Sequence, residues 1–379
     1  MKILVTGAKG FIGRNLVERL KILKEYEVIE IDRDNSNEEL EKAVLKADFI
    51  FHLAGINRSL IEEEFMEGNV KFTEEFMEGN VKFTKDIIEL LISNKKNTPI
   101  LMSSSIQAEL DNPYGVSKKA AEQVLLEYGI RAKAKVYVYR LQNVFGKWCR
   151  PNYNSVVATF CNNIARGQDI WISDIHKEIT LVYIDDVVKS FIHTMRSNRT
   201  TNGYLTISPE YKITLERLIE LLKDFKSGRI TLRLPDMSDE FVKKLYSTYL
   251  SYLPEDDFKY SLDMKTDYRG SFTEVIRNLN MGQISVNISR PGITKGNHWH
   301  HTKVEKFLVV SGSGIVKFRK IGEKEVIEYK VSGEKLEVID IPPGYTHSIT
   351  NTGTDNMVTV MWANEVFNEE TPDTIFQEV

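Results

Sequence analysis

Four residues near one end of the chain stand in a metal-ligand spacing: His298, His300, Glu305 and His347. The full pattern is Gly292-x5-His298-x-His300-x4-Glu305-x6-Gly312, followed by Pro342-x-Gly344-x2-His347-x3-Asn351. Histidines two apart on a strand point to one face. Glu305 follows after a turn, and His347 comes from a second hairpin. Three imidazoles and one carboxylate suit a borderline divalent ion such as zinc. The bland alternative is a metal-free β-barrel with a polar lumen.

A different chemistry opens the chain. Gly7, Gly10 and Gly13 follow an apolar run, Lys2–Thr6, and start a helical pattern. Glycines there permit a tight turn and bring backbone N–H groups close to a pyrophosphate. The end of the next strand reads Ile31-Asp32-Arg33. Asp32 favours a free ribose 2′-hydroxyl, and Arg33 accepts a 2′-phosphate, so local residues leave NAD against NADP open. Further on, Ser103-Ser104-Ser105 ends a strand and Tyr114-Gly-Val-Ser-Lys118 follows. Tyr and Lys at i and i+4 share a helix face. An ammonium beside a phenol lowers its pKa and lets it pass a proton near neutrality. Ser105 can hold a substrate carbonyl near that phenol. A lone Tyr-x3-Lys carries little weight; the order glycine triplet, strand-end serine, Tyr-x3-Lys is far more specific.

Two kinds of element must position these groups. Lys2–Thr6, Glu27–Ile31, Asp48–Leu53, Pro99–Ser104 and Lys135–Arg140 read as strands, with helices at Phe11–Leu23 and Tyr114–Tyr128. That alternation predicts a doubly wound parallel sheet. Beyond about residue 265, Ile284–Ile288, Phe307–Val310, Gly314–Phe318, Lys335–Ile339 and Met357–Trp362 read as strands between Gly, Pro and Asn turns. They predict an all-β barrel or jelly roll. The boundary is placed in the aromatic connector Tyr246–Pro254, giving domains 1–250 and 251–379.

The chain has 379 residues, enough for two or three domains, and a net charge of -4. No basic field favours nucleic acid, and no run approaches the length of a membrane span. Two cysteines, Cys149 and Cys161, suit a reducing cytoplasm. Residues Glu63–Thr73 recur unchanged as Glu74–Thr84. Eleven residues make about three helical turns, so a lengthened helix or an extruded loop can absorb the second copy. Only one copy is expected to fill the Asn-Val-x-x-Thr position, through Asn69 or Asn80.

The N-terminal order resembles the extended short-chain dehydrogenase/reductase (SDR) family. Supporting segments are Asp48 with His52-Leu-Ala-Gly55, Arg140-Leu-Gln-Asn143-Val-Phe-Gly146 and Tyr183-Ile-Asp185-Asp186-Val187. The resemblance implies a Rossmann-like fold and a catalytic Ser105, Tyr114 and Lys118. It implies a dinucleotide held by Gly7, Gly10, Phe11, Ile12, Gly13, Arg33, Asp48, Leu53, Ala54 and Lys118, with Asn143 near the substrate. Ser105 and Tyr114 are closer than is usual in that family. The opening pattern resembles the two cupin motifs, with His298, His300, Glu305 and His347 as ligands of Zn2+ or another divalent metal. Asp267-Tyr-Arg269-Gly270 resembles a motif of cupin-fold deoxysugar-nucleotide epimerases, which implies that Arg269 contacts diphosphate; an ion pair with Glu274 is the structural alternative.

Both halves on one chain resemble the bifunctional capsular-polysaccharide enzymes of the CapF type. The resemblance implies a UDP-4-keto-6-deoxy-N-acetylhexosamine substrate, epimerised at C3 by the cupin and reduced at C4 by the SDR with NADPH rather than NADH. The product would be UDP-2-acetamido-2,6-dideoxy-L-talose. Lys295 is assigned to substrate binding. Lys295, His301 and Tyr345 are the candidates for the C3 base, and His301 otherwise reads as a surface residue or a neighbour just behind the ligands. A homodimer and a cytoplasmic location are implied, with no nucleic acid and no membrane insertion. The alternative is a reductase whose cupin only binds or dimerises.

Overall fold

The computed structural model describes residues 1–57, 74, 76–197, 202–278, 280–368 and 370–379. They form two compact units: Met1–Leu222 with Lys244–Leu253, and Lys223–Lys243 with Pro254–Val379.

The first unit is built on a parallel sheet. Its leading strands are β1 (Lys2–Thr6), β2 (Glu27–Ile31), β3 (Phe49–His52), β4 (Ile100–Ser105) and β5 (Val136–Leu141). β6 (Asn143–Phe145), β7 (Glu178–Tyr183), β8 (Gly203–Leu205) and β9 (Tyr211–Thr214) follow. The main order is β2-β1-β3-β4-β5-β8, and β6-β7-β9 form a small second sheet. Ile3, Leu4, Val5, Ile50 and Phe51 are fully buried, which explains why these strands read as unbroken apolar runs. The helix Phe11–Leu23 turns Leu16, Val17 and Leu20 into one core beside Val5 and Phe51. A second helix, Asn37–Lys46, starts at a capping box of Ser36 and Glu39. A third, Pro113–Arg131, is capped by Asn112, whose side chain accepts from Gly115 N at 2.8 Å. Pro113 opens its first turn, where no partner for a backbone N–H is needed. That cap fixes where Tyr114 and Lys118 stand.

The second unit is antiparallel, with β10 (Met264–Asp267), β11 (Gly270–Asn278), β12 (Gly282–Ser289), β13 (Thr294–Trp299) and β14 (Glu305–Ser311). Then come β15 (Ser313–Lys320), β16 (Val326–Ser332), β17 (Val338–Ile341), β18 (Tyr345–Asn351), β19 (Met357–Ala363) and β20 (Ile375–Phe376). One sheet runs β10-β11-β12-β19-β14-β17 and the other β16-β15-β18-β13-β20, as in a jelly roll. Phe307, Val309, Val316, Phe318, Ile349 and Met357 form its apolar core. The strand expected over Lys335–Ile339 lies at Val338–Ile341, because Lys335 makes only an isolated bridge to Ser332. Residues 223–243 count with this unit: Leu234 N donates to Arg277 O at 2.9 Å and Arg277 N to Leu232 O at 2.7 Å.

Candidate active site and metal centre

Strands β1, β3, β4 and β5 end at Thr6, His52, Ser105 and Leu141, so the residues that follow collect at one edge of the sheet. A cavity of about 980 Å³ opens there. Gly7, Gly10, Phe11, Ile12, Gly13, Arg33, Leu53, Ala54, Ser105, Tyr114, Lys118 and Asn143 all line it. The glycines are required by space. Gly7 has φ +67°, and a Cβ on Gly13 would lie 2.0 Å from the Gly7 carbonyl. The carboxylate of Asp32 is engaged by backbone: Lys9 N donates at 2.7 Å and Arg33 N at 2.9 Å.

Asp48 is a correction. It precedes β3, which pairs from Ile3↔Phe49 to Thr6↔His52, so Asp48 stands at the opposite end of the sheet from Gly7. Its carboxylate accepts from Lys2 N at 2.7 Å. It supports the start of β1 and does not line the cavity.

The Tyr114 phenol is mostly buried, and burial pushes its pKa up to about 12 against a hydrogen bond with Ser105. Lys118 lies with its Nζ 5.9 Å from the Tyr114 ring centre. Burial brings its pKa down to about 8, opposed by the charge of Glu122 one turn on. The phenol is therefore shifted up by desolvation rather than down by the lysine. The phenol is protonated at neutral pH.

Other buried polar groups hold this pair in place. Asn80 spans Ile56, accepting from its N at 3.0 Å and donating to its O at 3.0 Å. It also donates to Ser117 Oγ at 3.1 Å. Asn80 belongs to the second copy of the repeat; the first, with Asn69, lies outside the described residues. His52 is fixed between Thr6 Oγ1 (2.9 Å) and Thr84 Oγ1 (3.0 Å). Burial, and then the charge on Lys118, drive its pKa down to about 3, so it is neutral.

Sequence reasoning missed Glu122, which is fully buried, 2.6 Å from Arg140 and bonded to Ser104 Oγ and Tyr204 OH. Its spacing, i+4 from Lys118, was the available signal. Also missed were Trp148, Arg150 and Tyr153, which line the cavity just past Asn143-Val-Phe-Gly146.

In the β unit, His298, His300, Glu305 and His347 offer ligand atoms all within 4.8 Å of one another. β13 and β18 bring His298 directly opposite His347, with ring centroids 4.5 Å apart. Glu305, at the head of β14, lies 3.3 Å from His300 Nε2 and 3.4 Å from His347 Nε2. Burial opposes the charge on Glu305, but the adjacent His300 and His347 imidazoles and the Lys303 ammonium hold its carboxyl well below the usual range. Burial, and then the neighbouring His347, bring His298 down to about 4, so it is neutral and able to ligate.

The donor set fits a divalent ion. His347 is fully buried, yet neither ring nitrogen has a hydrogen bond among the described residues. Leaving two such atoms unsatisfied is costly unless something else binds there. A set of three imidazoles and one carboxylate is what zinc and similar ions accept.

Lys295 joins this centre through a bulge. The β13–β18 register runs Lys295↔Ile349, Gly296↔Ser348, then His298↔His347, with Asn297 left over at φ +59°. Plain alternation would place Lys295 and His298 on opposite faces; the extra residue puts both on the inner face. Lys295 Nζ reaches the other sheet, donating to Asn287 Oδ1 at 2.7 Å and Ile288 O at 2.9 Å. Burial lowers its pKa. Tyr345 shares the His347 side of β18 and packs on the core. His301 is exposed, with its ring 4.5 Å from that of Trp299. Arg269 pairs with Asp267 at 2.6 Å, whereas Glu274 is taken by Arg277, so the expected Glu274 alternative does not hold.

The sequence matches the NAD dependent epimerase/dehydratase family over residues 3–207 and the polysaccharide biosynthesis C-terminal domain over 265–375. A reductase of Pseudomonas aeruginosa, named for UDP-2-acetamido-2,6-beta-L-arabino-hexul-4-ose, is 46% identical over 99% of this chain and 98% of its own. The chain belongs to the NAD dependent epimerase/dehydratase family. The crystal structure of the capsular polysaccharide assembling protein CapF from Staphylococcus aureus matches this chain with a TM-score of 0.90 and 50% identity, covering 100% of both. A UDP-glucose 4-epimerase of Thermotoga maritima, at 22% identity and TM-score 0.53 over 66% of this chain and 98% of its own, shares the fold. Membership makes this chain an oxidoreductase that uses a nicotinamide dinucleotide. None of its described helices is long and apolar enough to cross a membrane.

Proposed function

We propose that this chain is a bifunctional enzyme of capsular-polysaccharide precursor synthesis, acting on a UDP-4-keto-6-deoxy-N-acetylhexosamine. The β unit inverts C3, and the first unit, the reductase, then reduces the C4 ketone to give UDP-2-acetamido-2,6-dideoxy-L-talose. The observation that carries this is the pairing, on one chain, of the Ser105–Tyr114–Lys118 cavity with the four-ligand cluster around Glu305. The Pseudomonas relative's name, a 4-ulose reductase, supplies the substrate class.

In the reductase, the bound nicotinamide supplies the hydride. Ser105 hydrogen-bonds the C4 oxygen and Tyr114, protonated at neutral pH, gives it the proton. Lys118, four residues past Tyr114 on the same helix, supplies the positive charge that fixes the cofactor ribose and steadies the phenol. Asn143 lines the substrate end of the cavity. In the β domain, the C3 hydrogen is acidic because it lies α to the ketone. A divalent ion held by His298, His300, Glu305 and His347 would polarise that ketone and stabilise the enolate. Lys295 and Tyr345 are the inward-facing candidates to move the C3 proton, and Arg269 is exposed enough to meet the diphosphate.

NADPH is the proposed cofactor. The Asp32 carboxylate already accepts from two backbone N–H groups, and the neighbouring Arg33, which lines the cavity, is suited to meet a 2′-phosphate. Steady-state assays should give a kcat/KM for NADPH about tenfold or more above that for NADH, and Arg33→Ala should erase the gap. Equal use of both cofactors by the wild-type protein would refute the assignment. We also propose a cytoplasmic homodimer.

A further inference from the structure

His300 and Glu305 are separated by only four residues, and that connection is fastened from far along the chain. The backbone N–H groups of His301, Thr302 and Lys303 donate to the Asp373 carboxylate at 2.8, 2.8 and 2.9 Å. Three donors converging on one carboxylate form a rigid cradle, each bond being charge-assisted. The Asp373 carbonyl is the partner of His300 Nδ1. A carbonyl can only accept, so Nδ1 carries the proton and Nε2 keeps its lone pair on the side of Glu305. The segment then continues as β20, which pairs Phe376 with His298 and Ile375 with Trp299. Gln377 N donates to Asn297 O at 2.9 Å, across the bulge that turns Lys295 inward.

We propose that Asp373 is a positioning residue for the divalent ion. Its carboxylate sets the spacing between ligands His300 and Glu305, and its carbonyl selects the ligating tautomer of His300. The strand after it clamps the His298 end of β13. The inference rests on reading the His/Glu cluster as a metal site. Partners of this kind, one bond beyond the ligands, are typically worth ~10–100-fold in metal affinity.

The test is a cobalt(II) titration of the metal-stripped full-length protein and of Asp373→Ala, following the visible absorption bands and competing with a chromophoric chelator. Wild type should take up one ion per chain. Asp373→Ala should bind ~10–100-fold more weakly, with altered bands, because ligand geometry relaxes. A variant that only loosened the fold elsewhere would leave the bands unchanged. Equal affinity and identical bands in the two proteins would overturn the proposal while leaving the metal site standing. No uptake by wild type would overturn both. If circular dichroism shows Asp373→Ala unfolded, Asp373→Asn decides. It keeps one acceptor oxygen and should fall between the two, and wild-type affinity in that variant would overturn the proposal.

Discussion

Tyr114→Phe should lower NADPH oxidation by ~10²–10⁴-fold while leaving hydrogen exchange at C3 of the substrate unchanged. The phenyl ring fills the same buried space, and only the hydroxyl that bonds to Ser105 is lost. Without it, the C4 oxygen has no proton donor as hydride arrives. Substrate affinity should change little, because the cavity wall is otherwise intact, so the loss should appear in kcat. The check is a pair of assays on one preparation: absorbance at the nicotinamide band, and NMR of the C3 proton in deuterated water. Loss of both activities together would mean that one site carries both steps.

His298→Ala should produce the complementary loss. It removes a ligand that stands opposite His347 at the head of the cluster. The ion should leave, and C3 exchange should fall by ~10²–10⁴-fold, the range expected when several kcal/mol of charge stabilisation is withdrawn. Extensive chelation of the wild-type protein should reproduce that loss, and added zinc should restore exchange only in the wild type. Exchange that survives both treatments would assign the cluster a purely structural role. The reductase cavity shares no residue with the cluster, so a substrate already epimerised at C3 should still be reduced by His298→Ala.

Much of this was legible in residue order. The glycine triplet, the apolar runs of β1 and β2 and the helix Phe11–Leu23 follow from local propensity and periodicity, which is why their bounds were readable. The four ligands were readable because two short motifs carry them all. What the sequence hid depends on direction and distance. Asp48 belongs to a recognisable segment, but it precedes β3, which runs parallel to β1, so it stands at the opposite end of the sheet from the glycines. Strict alternation from His298 would put Lys295 on the outer face, and the bulge at Asn297 returns it to the inner one. Arg269 found its partner two residues back rather than five ahead, because the tight turn between β10 and β11 folds Asp267 onto it. Asp373 lies 72 residues from the N–H of His301 that it accepts, beyond the reach of any local pattern. The Tyr114 pKa was misjudged for a related reason: spacing shows that a lysine is near, and only packing shows how much water is removed.

The most direct test of two activities on one chain is NMR of the wild-type protein with UDP-4-keto-6-deoxy-N-acetylhexosamine in deuterated water, first without nicotinamide and then with NADPH. The predicted result is deuterium at C3 before any cofactor is added, followed by reduction at C4 once NADPH is present, with the label retained. A C3 proton that persists unexchanged until NADPH arrives, followed by reduction of the unepimerised sugar, would contradict it and leave a reductase joined to a non-catalytic β domain.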